Sequence, residues 1–306
     1  MDIAIFLSRP DQYQGPCLSD YHGCFGDSVA NHTAAAYQSM TDRLISRGLT
    51  RLTHLYFGAE FCEYLIPSRK ELEQYIQICK SDSLQPVFVT PVVTDHGIGR
   101  LQACFDFLDG ENVDYAVVVN DLGVLQLLCA RPHKPRIIAG RVLDKTSHDS
   151  RIPEKEMTQY YSAPGIHYAS EPGILSEHST RILSGLGVSR YEFDLPKTGL
   201  QLPDTGYPCS LYWPFHYLTT GRVCLFRSMG KTGAEKFLVG QDLCGGRCKA
   251  YELELRKPMN GYSFEHGIRK NNQYLFQKGN TLFYLYDDPN INDQLAQFDR
   301  IVLQML

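Results

Sequence analysis

The fold is decided by a continuously apolar stretch, Tyr115-Ala116-Val117-Val118-Val119, which ends at Asn120-Asp121. A strand that is apolar at every position is typical of a parallel sheet, because helices cover both of its faces. A helical pattern follows directly over Leu122–Ala130. This strand and helix predict one unit of a parallel α/β fold.

The same alternation of strand and helix runs through residues 1–195. The predicted strands are Ile3–Leu7, Leu52–Gly58, Pro86–Val93, Tyr115–Asn120, Arg136–Gly140, Gly165–Ser170 and Arg190–Leu195. The predicted helices are Thr33–Arg47, Ser68–Lys80, Gly99–Leu108, Leu122–Ala130, Glu154–Tyr161 and Glu177–Leu186. This repetition fits a (β/α) TIM-like barrel, complete or open, better than a three-layer sandwich. We therefore expect an α/β barrel over residues 1–220.

The pattern changes in the last third of the chain. The predicted elements there are a further barrel strand (Leu211–Leu218), a long ordered loop (Gly221–Lys249), a β-hairpin (Tyr274–Tyr286) and a last strand (Phe298–Met305). The hairpin is expected to turn at Gly279-Asn280. Residues 221–306 therefore predict a cysteine-containing loop and a C-terminal β extension, packed on the barrel as one structural unit.

Composition excludes several classes of protein. The 306 residues are 43% hydrophobic and 21% charged, which is typical of a globular chain with a large core. The net charge of −4 does not indicate binding to nucleic acid or to an anionic membrane. The start carries Asp2 where a signal peptide needs basic residues, and no apolar stretch approaches the ~20 residues of a membrane span. We expect a cytoplasmic protein without a membrane span.

Six of the ten cysteines carry little functional information. Cys79, Cys104 and Cys129 lie on predicted helices beside apolar residues, and Cys209 opens a strand, so all four are expected to be small buried hydrophobic residues. Cys17 and Cys24 lie in a loop after the first strand and are only a weak indication of a second metal site. Ten thiols in a reducing compartment are not expected to form a disulfide framework.

The other four cysteines suggest a metal site. Cys244 and Cys248 lie four positions apart in a glycine-containing loop, and Cys224 precedes them in the same irregular segment. Cys62 follows the strand Leu52–Gly58, at the end of a barrel strand where such barrels build their sites. Thiolate-only ligation suits zinc and an iron–sulfur cluster equally well, and four unrelated free thiols are the alternative.

Polar residues near strand ends are the remaining candidates. The candidate catalytic residues are Glu171, Glu192 and His216. The candidate substrate-binding residues are Asn120, Asp121, His167, Trp213, Arg222 and Arg227. Asp121 also suits the N-cap of the helix that follows it, and Glu192 is expected to point either into the barrel or toward the helices. Arg222 and Arg227 bracket Cys224, so they either bind an anionic substrate or face water.

Five segments occur in the order found in a known family. They are Leu55–Cys62, Asn120–Val124, Ser170-Glu171, Arg222–Cys224 and the pair Cys244 and Cys248. Together they resemble the U-32 peptidase (collagenase-like) family, and they are most similar to its iron–sulfur branch in oxygen-independent ubiquinone biosynthesis. The resemblance spans roughly residues 1–290.

The resemblance implies a cofactor, an activity and partners. In that branch four cysteines hold a 4Fe-4S cluster at the mouth of a barrel, which implies that Cys62, Cys224, Cys244 and Cys248 are its ligands. It also implies oxygen-independent hydroxylation of an aromatic or cyclic substrate. The implied partners are a second related barrel protein, forming a heterodimer, and an electron donor.

Two features differ from the family. Members labelled as peptidases carry an acidic strand that leads into a Gly-rich Cys-x-Ser segment, whereas Tyr191–Pro196 runs on without a cysteine. The gap between Cys224 and Cys244 is longer than expected for the ubiquinone branch. Two alternatives therefore stay open: a zinc-stabilised scaffold or interaction protein, and a U-32-type peptidase, which this sequence matches less well.

Overall fold

A closed barrel of eight parallel strands forms the centre of the protein. The computed structural model describes residues 1–22, 31–146, 157–196, 199–239, 244–255, 275–285 and 294–305. The strands in the described residues, those of the barrel and those of a second sheet, are β1 (Asp2–Leu7), β2 (His54–Gly58), β3 (Gln85–Val89), β4 (Ala116–Val119), β5 (Arg136–Ala139), β6 (Val188–Phe193), β7 (Cys209–Trp213), β8 (Phe215–Thr220), β9 (Leu253–Glu254), β10 (Leu275–Lys278), β11 (Thr281–Leu285) and β12 (Arg300–Gln304). The order around the barrel is β1-β12-β7-β6-β5-β4-β3-β2. The predicted (β/α) TIM-like barrel is confirmed, and it is complete.

Helices lie between the barrel strands, as the alternating pattern predicts. They are α1 (Asn31–Ser46), α2 (Arg69–Asp82), α3 (Asp95–Gly110), α4 (Leu122–Cys129), α5 (Met157–Tyr160), α6 (Ala163–Ser170), α7 (Glu177–Gly185) and α8 (Leu225–Ser228). Side chains set some of their starts: Ser68 and Glu71 form a capping box at α2. Of the predicted helix Glu154–Tyr161, residues 154–156 lie outside the described residues.

The predicted strand Gly165–Ser170 is wrong, because these residues belong to the helix α6. The hydroxyl of Ser162 accepts a hydrogen bond from the backbone nitrogen of Gly165 at 3.4 Å, which caps the helix. Pro164 lies in the first turn, where a missing N–H costs nothing. A short apolar run is compatible with either structure, and here the cap decides for a helix.

The predicted single strand Leu211–Leu218 is two strands in different sheets. β7 belongs to the barrel and β8 to a second, antiparallel sheet of order β8-β11-β10-β9. The chain passes between them at a cis Trp213–Pro214 bond. The predicted last strand is confirmed as β12, which lies between β1 and β7 and closes the barrel. The expected unit 221–306 therefore contributes one strand to the barrel.

The second sheet carries the predicted hairpin, in which β10 and β11 pair around Gly279-Asn280. Its apolar side chains pack with α1 through Ala36 and Tyr37. Within the predicted loop Gly221–Lys249, the described residues form α8 and two 3-10 helices, Gly233–Phe237 and Arg247–Lys249. The turn of this hairpin lies at the carboxyl end of the barrel, where Asn280 donates a hydrogen bond to the carbonyl oxygen of Phe61.

Two apolar layers stabilise the barrel. The interior holds side chains that include Phe6, Tyr56 and Tyr212, and a larger cluster fills the space between strands and helices. Cys79, Cys104 and Cys209 are buried, as predicted, and Cys129 is half-buried. Cys17 lies beside an isolated bridge to Arg51, and Cys24 lies outside the described residues. In the part of the chain that the structure describes, no helix is long and apolar enough to cross a membrane.

Candidate metal centre

Cys62 lies four residues beyond the end of β2, at the carboxyl end of the barrel. β2 ends at Gly58, whose φ is +127°, a conformation that side-chain-bearing residues rarely adopt. A Cβ atom built on Gly58 would lie 2.2 Å from the carbonyl oxygen of Val89 in β3. The absence of a side chain therefore lets the chain press against β3 before it turns toward Cys62.

Two buried carboxylates hold the backbone on either side of Cys62. Glu60 accepts hydrogen bonds from Nε and Nη2 of Arg141 at 2.7 and 2.8 Å. Glu63 accepts from the backbone nitrogen and the hydroxyl of Thr94 at 2.7 and 2.8 Å. Because both anchors belong to other barrel loops, the position of Cys62 is set by the barrel itself.

The turn of the β10–β11 hairpin joins the segments that carry the cysteines. Nδ2 of Asn280 donates to the carbonyl oxygens of Phe61 at 2.8 Å and Gly221 at 2.6 Å, which lie next to Cys62 and three residues before Cys224. A Cβ atom on Gly279 would lie 3.4 Å from the sulfur of Cys248. The turn therefore contacts the segments of three of the four candidate ligands.

The segment of Cys248 is tied to the barrel from its other side. Nη1 of Arg9 donates to the carbonyl oxygen of Lys249 at 3.0 Å. Nζ of Lys249 lies 3.1 Å from a carboxylate oxygen of Glu71 at the start of α2. Cys248 itself is buried, and Cys244 and Cys224 are half-buried. The segment of Cys248 is thus held by contacts with the residues after β1, with α2 and with the hairpin.

The four thiols share one electrostatic environment. Burial, with smaller contributions from the other three thiols and against a backbone hydrogen bond at Tyr64, raises the pKa of Cys62 to about 12. Burial raises the pKa of Cys248 to about 11, with Cys224 and Cys244 as the next causes. The pKa of Cys79 is raised by burial alone. Among the described residues, no three His, Cys, Asp or Glu side chains form a preassembled metal-binding group. The four thiols are therefore neighbours that are not arranged at ligand distance.

Two pockets flank Cys62. One has a volume of about 90 Å³ and includes Cys62, Cys248, Lys278 and Gly279 in its lining. The other has a volume of about 190 Å³ and includes Cys62, Glu63 and Arg222. Both open at the carboxyl end of the barrel, so a small molecule bound in either would lie beside the thiols.

Arg141 is the centre of a buried charge network below the pockets. All five of its N–H groups have acceptors: the two oxygens of Glu60, a carboxylate oxygen of Asp194, the carbonyl oxygen of Phe215 and the side-chain oxygen of Gln304. Its guanidinium carbon lies 4.0 Å from the centre of the Tyr212 ring. Sequence reasoning missed this residue, although it follows β5 by two positions at the catalytic end of a barrel.

Glu192 points into the barrel, which decides between the two predicted orientations. Its oxygens accept hydrogen bonds from the hydroxyls of Tyr56 at 2.7 Å and Tyr212 at 2.9 Å. The side chain is 1% exposed, and burial raises its pKa to about 7. Glu192 is not among the residues that line the two pockets beside Cys62, so its place is in the sealed interior.

Replacing Glu192 by glutamine tests this burial. Because the pKa rises from 4.5 in the ordinary carboxyl to about 7 in the fold, the folded state holds the proton more tightly. Stability is therefore expected to fall as the pH rises from 4.5 to 7 and to stay low above that range. Glutamine cannot ionise, so Glu192→Gln should unfold at a higher urea concentration than the wild type at pH 8.5. The expected gain in the free energy of unfolding is about 2–3 kcal/mol.

At pH values near 4 the same two proteins should unfold at nearly the same urea concentration, since Glu192 is then mostly protonated in both the folded and the unfolded wild type. Urea titrations at both pH values make the comparison. A difference between the two proteins that is independent of pH would contradict a titrating Glu192.

Asn120 and Asp121 support neighbouring strand ends. Nδ2 of Asn120 donates to the carbonyl oxygen of Thr90 at 2.9 Å, and its Oδ1 accepts from the backbone nitrogen of Val142 at 3.2 Å. Asp121 is the N-cap of α4 and accepts from the backbone nitrogen of Gly123 at 2.7 Å. The structure thus gives the pair positioning contacts across three loops.

Of the remaining candidates, only Arg222 lines a pocket beside Cys62. His167 and Glu171 pair with each other at 2.7 Å on α6. Trp213 is buried in the cluster between barrel and helices. His216 stacks on Tyr284 at 4.6 Å, and burial followed by the charge of Arg141 lowers its pKa to about 3. Arg222 lines the larger pocket, where its Nη1 lies 3.9 Å from Glu63.

Arg227 is buried in α8, three residues after Cys224. None of its three guanidinium nitrogens has a hydrogen-bond partner among the described residues. Its backbone N–H and its positive charge both lower the pKa of Cys224, against the larger opposing effect of burial. A buried cation thus lies beside the thiols.

The sequence matches no protein-family model, and no curated protein or solved structure matches it significantly. What the site does must therefore be inferred from its own residues and their placement.

Proposed function

We propose that Cys62, Cys224, Cys244 and Cys248 hold a 4Fe-4S cluster at the barrel mouth. The protein, alone or as a subunit, would then be an oxygen-independent hydroxylase of an aromatic or cyclic substrate. The observation that carries the proposal is the grouping of four thiols from three chain segments that the hairpin turn brings together, with Cys62 lining two pockets. The resemblance to the iron–sulfur branch of the U-32 peptidase family favours iron–sulfur over zinc.

The residues fit a thiolate-ligated group. The ligands come from a strand end and from loops that a hairpin turn ties together. The unpartnered guanidinium of Arg227 supplies positive charge beside ligands that become negative when they bind metal. When bound, a cluster of this kind would supply one-electron chemistry. The electron donor of the proposal would set the oxidation state of the cluster and would not be consumed by hydroxylation, which is redox-neutral when an organic donor supplies the hydroxyl group.

The chain itself contributes the place where substrate binds. The larger pocket lies beside Cys62, and the half-exposed Arg222 in its lining suits a substrate carboxylate. Hydroxylation without molecular oxygen balances when an organic donor supplies the hydroxyl group, R–H + X–OH giving R–OH + X–H. The second related barrel protein, as in the branch that the sequence resembles, belongs to this proposal.

Anaerobic reconstitution with iron and sulfide tests the proposal. The wild-type protein should gain iron and sulfide and an absorption shoulder at roughly 400 nm, which is expected of thiolate-ligated iron. Cys62→Ala should lose most of both, because one ligand in four is gone. Cys79→Ala is the matched control, since Cys79 is also buried and its pKa is also raised to about 12, but it lies in α2 away from the other thiols.

Two results would overturn the proposal. A colourless wild-type protein without iron after reconstitution excludes the cluster, and Cys62→Ala with full iron content excludes this ligand set.

Structural zinc is the second candidate, because the same four thiols satisfy its ligand preference. In that case the protein is a zinc-stabilised scaffold or interaction protein. Metal analysis separates the two: zinc at one per chain, with no visible absorption band, favours the scaffold.

A further inference from the structure

We infer that Arg227 is the counter-cation of the thiolate centre, a role that stabilises the metal-bound form of the four cysteines. The inference rests on the proposed metal centre but not on which metal it holds. It starts from an imbalance in the charges around the site.

The positive charge of Arg227 is buried without a hydrogen-bond acceptor for its guanidinium group among the described residues. The residue is 7% exposed, and no guanidinium nitrogen has a hydrogen-bond partner among the described residues. Arg141, which is also buried, has an acceptor for every N–H. A buried charge without a partner is unfavourable, so a negative group is expected near Arg227 in the working protein.

Cys224 is the candidate ligand nearest to that charge along the chain. It directly precedes α8, and Arg227 lies three residues further on in the same short helix, with its guanidinium nitrogens buried. Four thiolates around Zn²⁺, or around a 4Fe-4S cluster in its oxidised form, carry a net charge of about −2. Loading the site with metal therefore creates the negative group that the guanidinium lacks.

A soluble substrate is a poorer partner for Arg227. The residue is not among those lining either pocket beside Cys62, whereas Arg222 lines the larger one. An anion in the larger pocket would therefore meet Arg222. The two arginines that bracket Cys224 thus take different roles, one facing the pocket and one facing the thiols.

Cobalt binding by the anaerobic full-length protein tests the inference, because Co²⁺ reports thiolate ligation by its visible spectrum. Arg227→Met should weaken Co²⁺ affinity by about tenfold or more, since an unscreened buried charge acts strongly on the loaded site. Arg227→Lys should recover part of the loss. Arg247→Met is the matched control: Arg247 lies between Cys244 and Cys248 but is exposed, so its loss should change affinity by about twofold at most.

Stability of the metal-free proteins separates this role from a structural one. Loss of an uncompensated buried cation should leave metal-free Arg227→Met at least as stable toward urea as the metal-free wild type. Metal-free Arg227→Met that is less stable than wild type, with unchanged Co²⁺ affinity, would overturn the inference. Failure of the proposed centre looks different, because the wild type itself would then bind no Co²⁺.

Discussion

Arg141→Met is expected to lower the free energy of unfolding by about 3–5 kcal/mol, because it leaves Glu60 and Asp194 buried with no cation between them. The side chain is 1% exposed and joins the loops after β2, β5 and β6 to the last residue of β12. Its removal breaks five hydrogen bonds and leaves two buried carboxylates without their arginine. Urea unfolding at pH 7 measures the loss.

The loss should depend on pH. Without Arg141 the pKa values of the two carboxyls rise, so the fold can take up protons that the unfolded chain releases. The deficit is therefore expected to be smaller at pH 5 than at pH 8, where both groups ionise at full cost.

Two companion variants sharpen this experiment. In Arg141→Met with Glu60→Gln and Asp194→Asn, the stranded charges are gone and most of the lost stability should return. Arg136→Met removes an exposed arginine that lies 3.2 Å from Asp114, and should change stability by about 0.5 kcal/mol or less. If Arg141→Met unfolds at the same urea concentration as the wild type, the network contributes nothing to the stability of the fold.

Gly58→Ala is expected to destabilise the protein by about 4 kcal/mol, through backbone strain and a clash together. The φ of +127° disfavours any side chain, and the new methyl would lie 2.2 Å from the Val89 carbonyl oxygen. Backbone cannot yield as a flexible side chain can, so β2 and β3 must separate. Since Cys62 follows this point, metal uptake should fall as well.

Gly48→Ala is the matched control. Gly48 also has a positive φ, +79°, but a Cβ atom there would meet nothing within 4 Å. Its cost is therefore strain alone, about 1 kcal/mol. Thermal unfolding of both variants separates strain from clash, and equal losses at the two positions would show that the close approach to β3 is unimportant.

Local patterns in the sequence predict most of the barrel. Continuously apolar runs such as Tyr115–Val119 are confirmed as parallel strands, since burial on both faces leaves a direct trace in composition. The run Gly165–Ser170 misleads because six residues fit a strand and a helix equally well. The signal that could have corrected it was the cap at Ser162 with Pro164 behind it.

Long-range contacts escape the same reasoning. The four cysteines can be recognised as a set from the sequence because they share one chemistry. Their proximity in the fold could be expected because residues at the carboxyl ends of barrel strands meet at one face. Arg141 was not singled out, since its partners lie 53, 81 and 163 positions away and no local pattern joins them. Asn280 contacts Phe61 across 219 positions. The contacts of such residues are set by the register of the closed barrel, which no local sequence pattern reveals.

The position of β12 has a consequence for biosynthesis. β1 pairs on one side with β2 and on the other with β12, in a register that joins Asp2 to Arg300. While the chain is still growing on the ribosome, the edges of β1 and β7 therefore stay without their partner until residues 300–304 have emerged. The turn that links Cys62 to Cys224 is also made late, at Asn280. Closure of the barrel and gathering of the thiols therefore wait for residues 280–304, and the growing chain is exposed to wrong strand pairing until then.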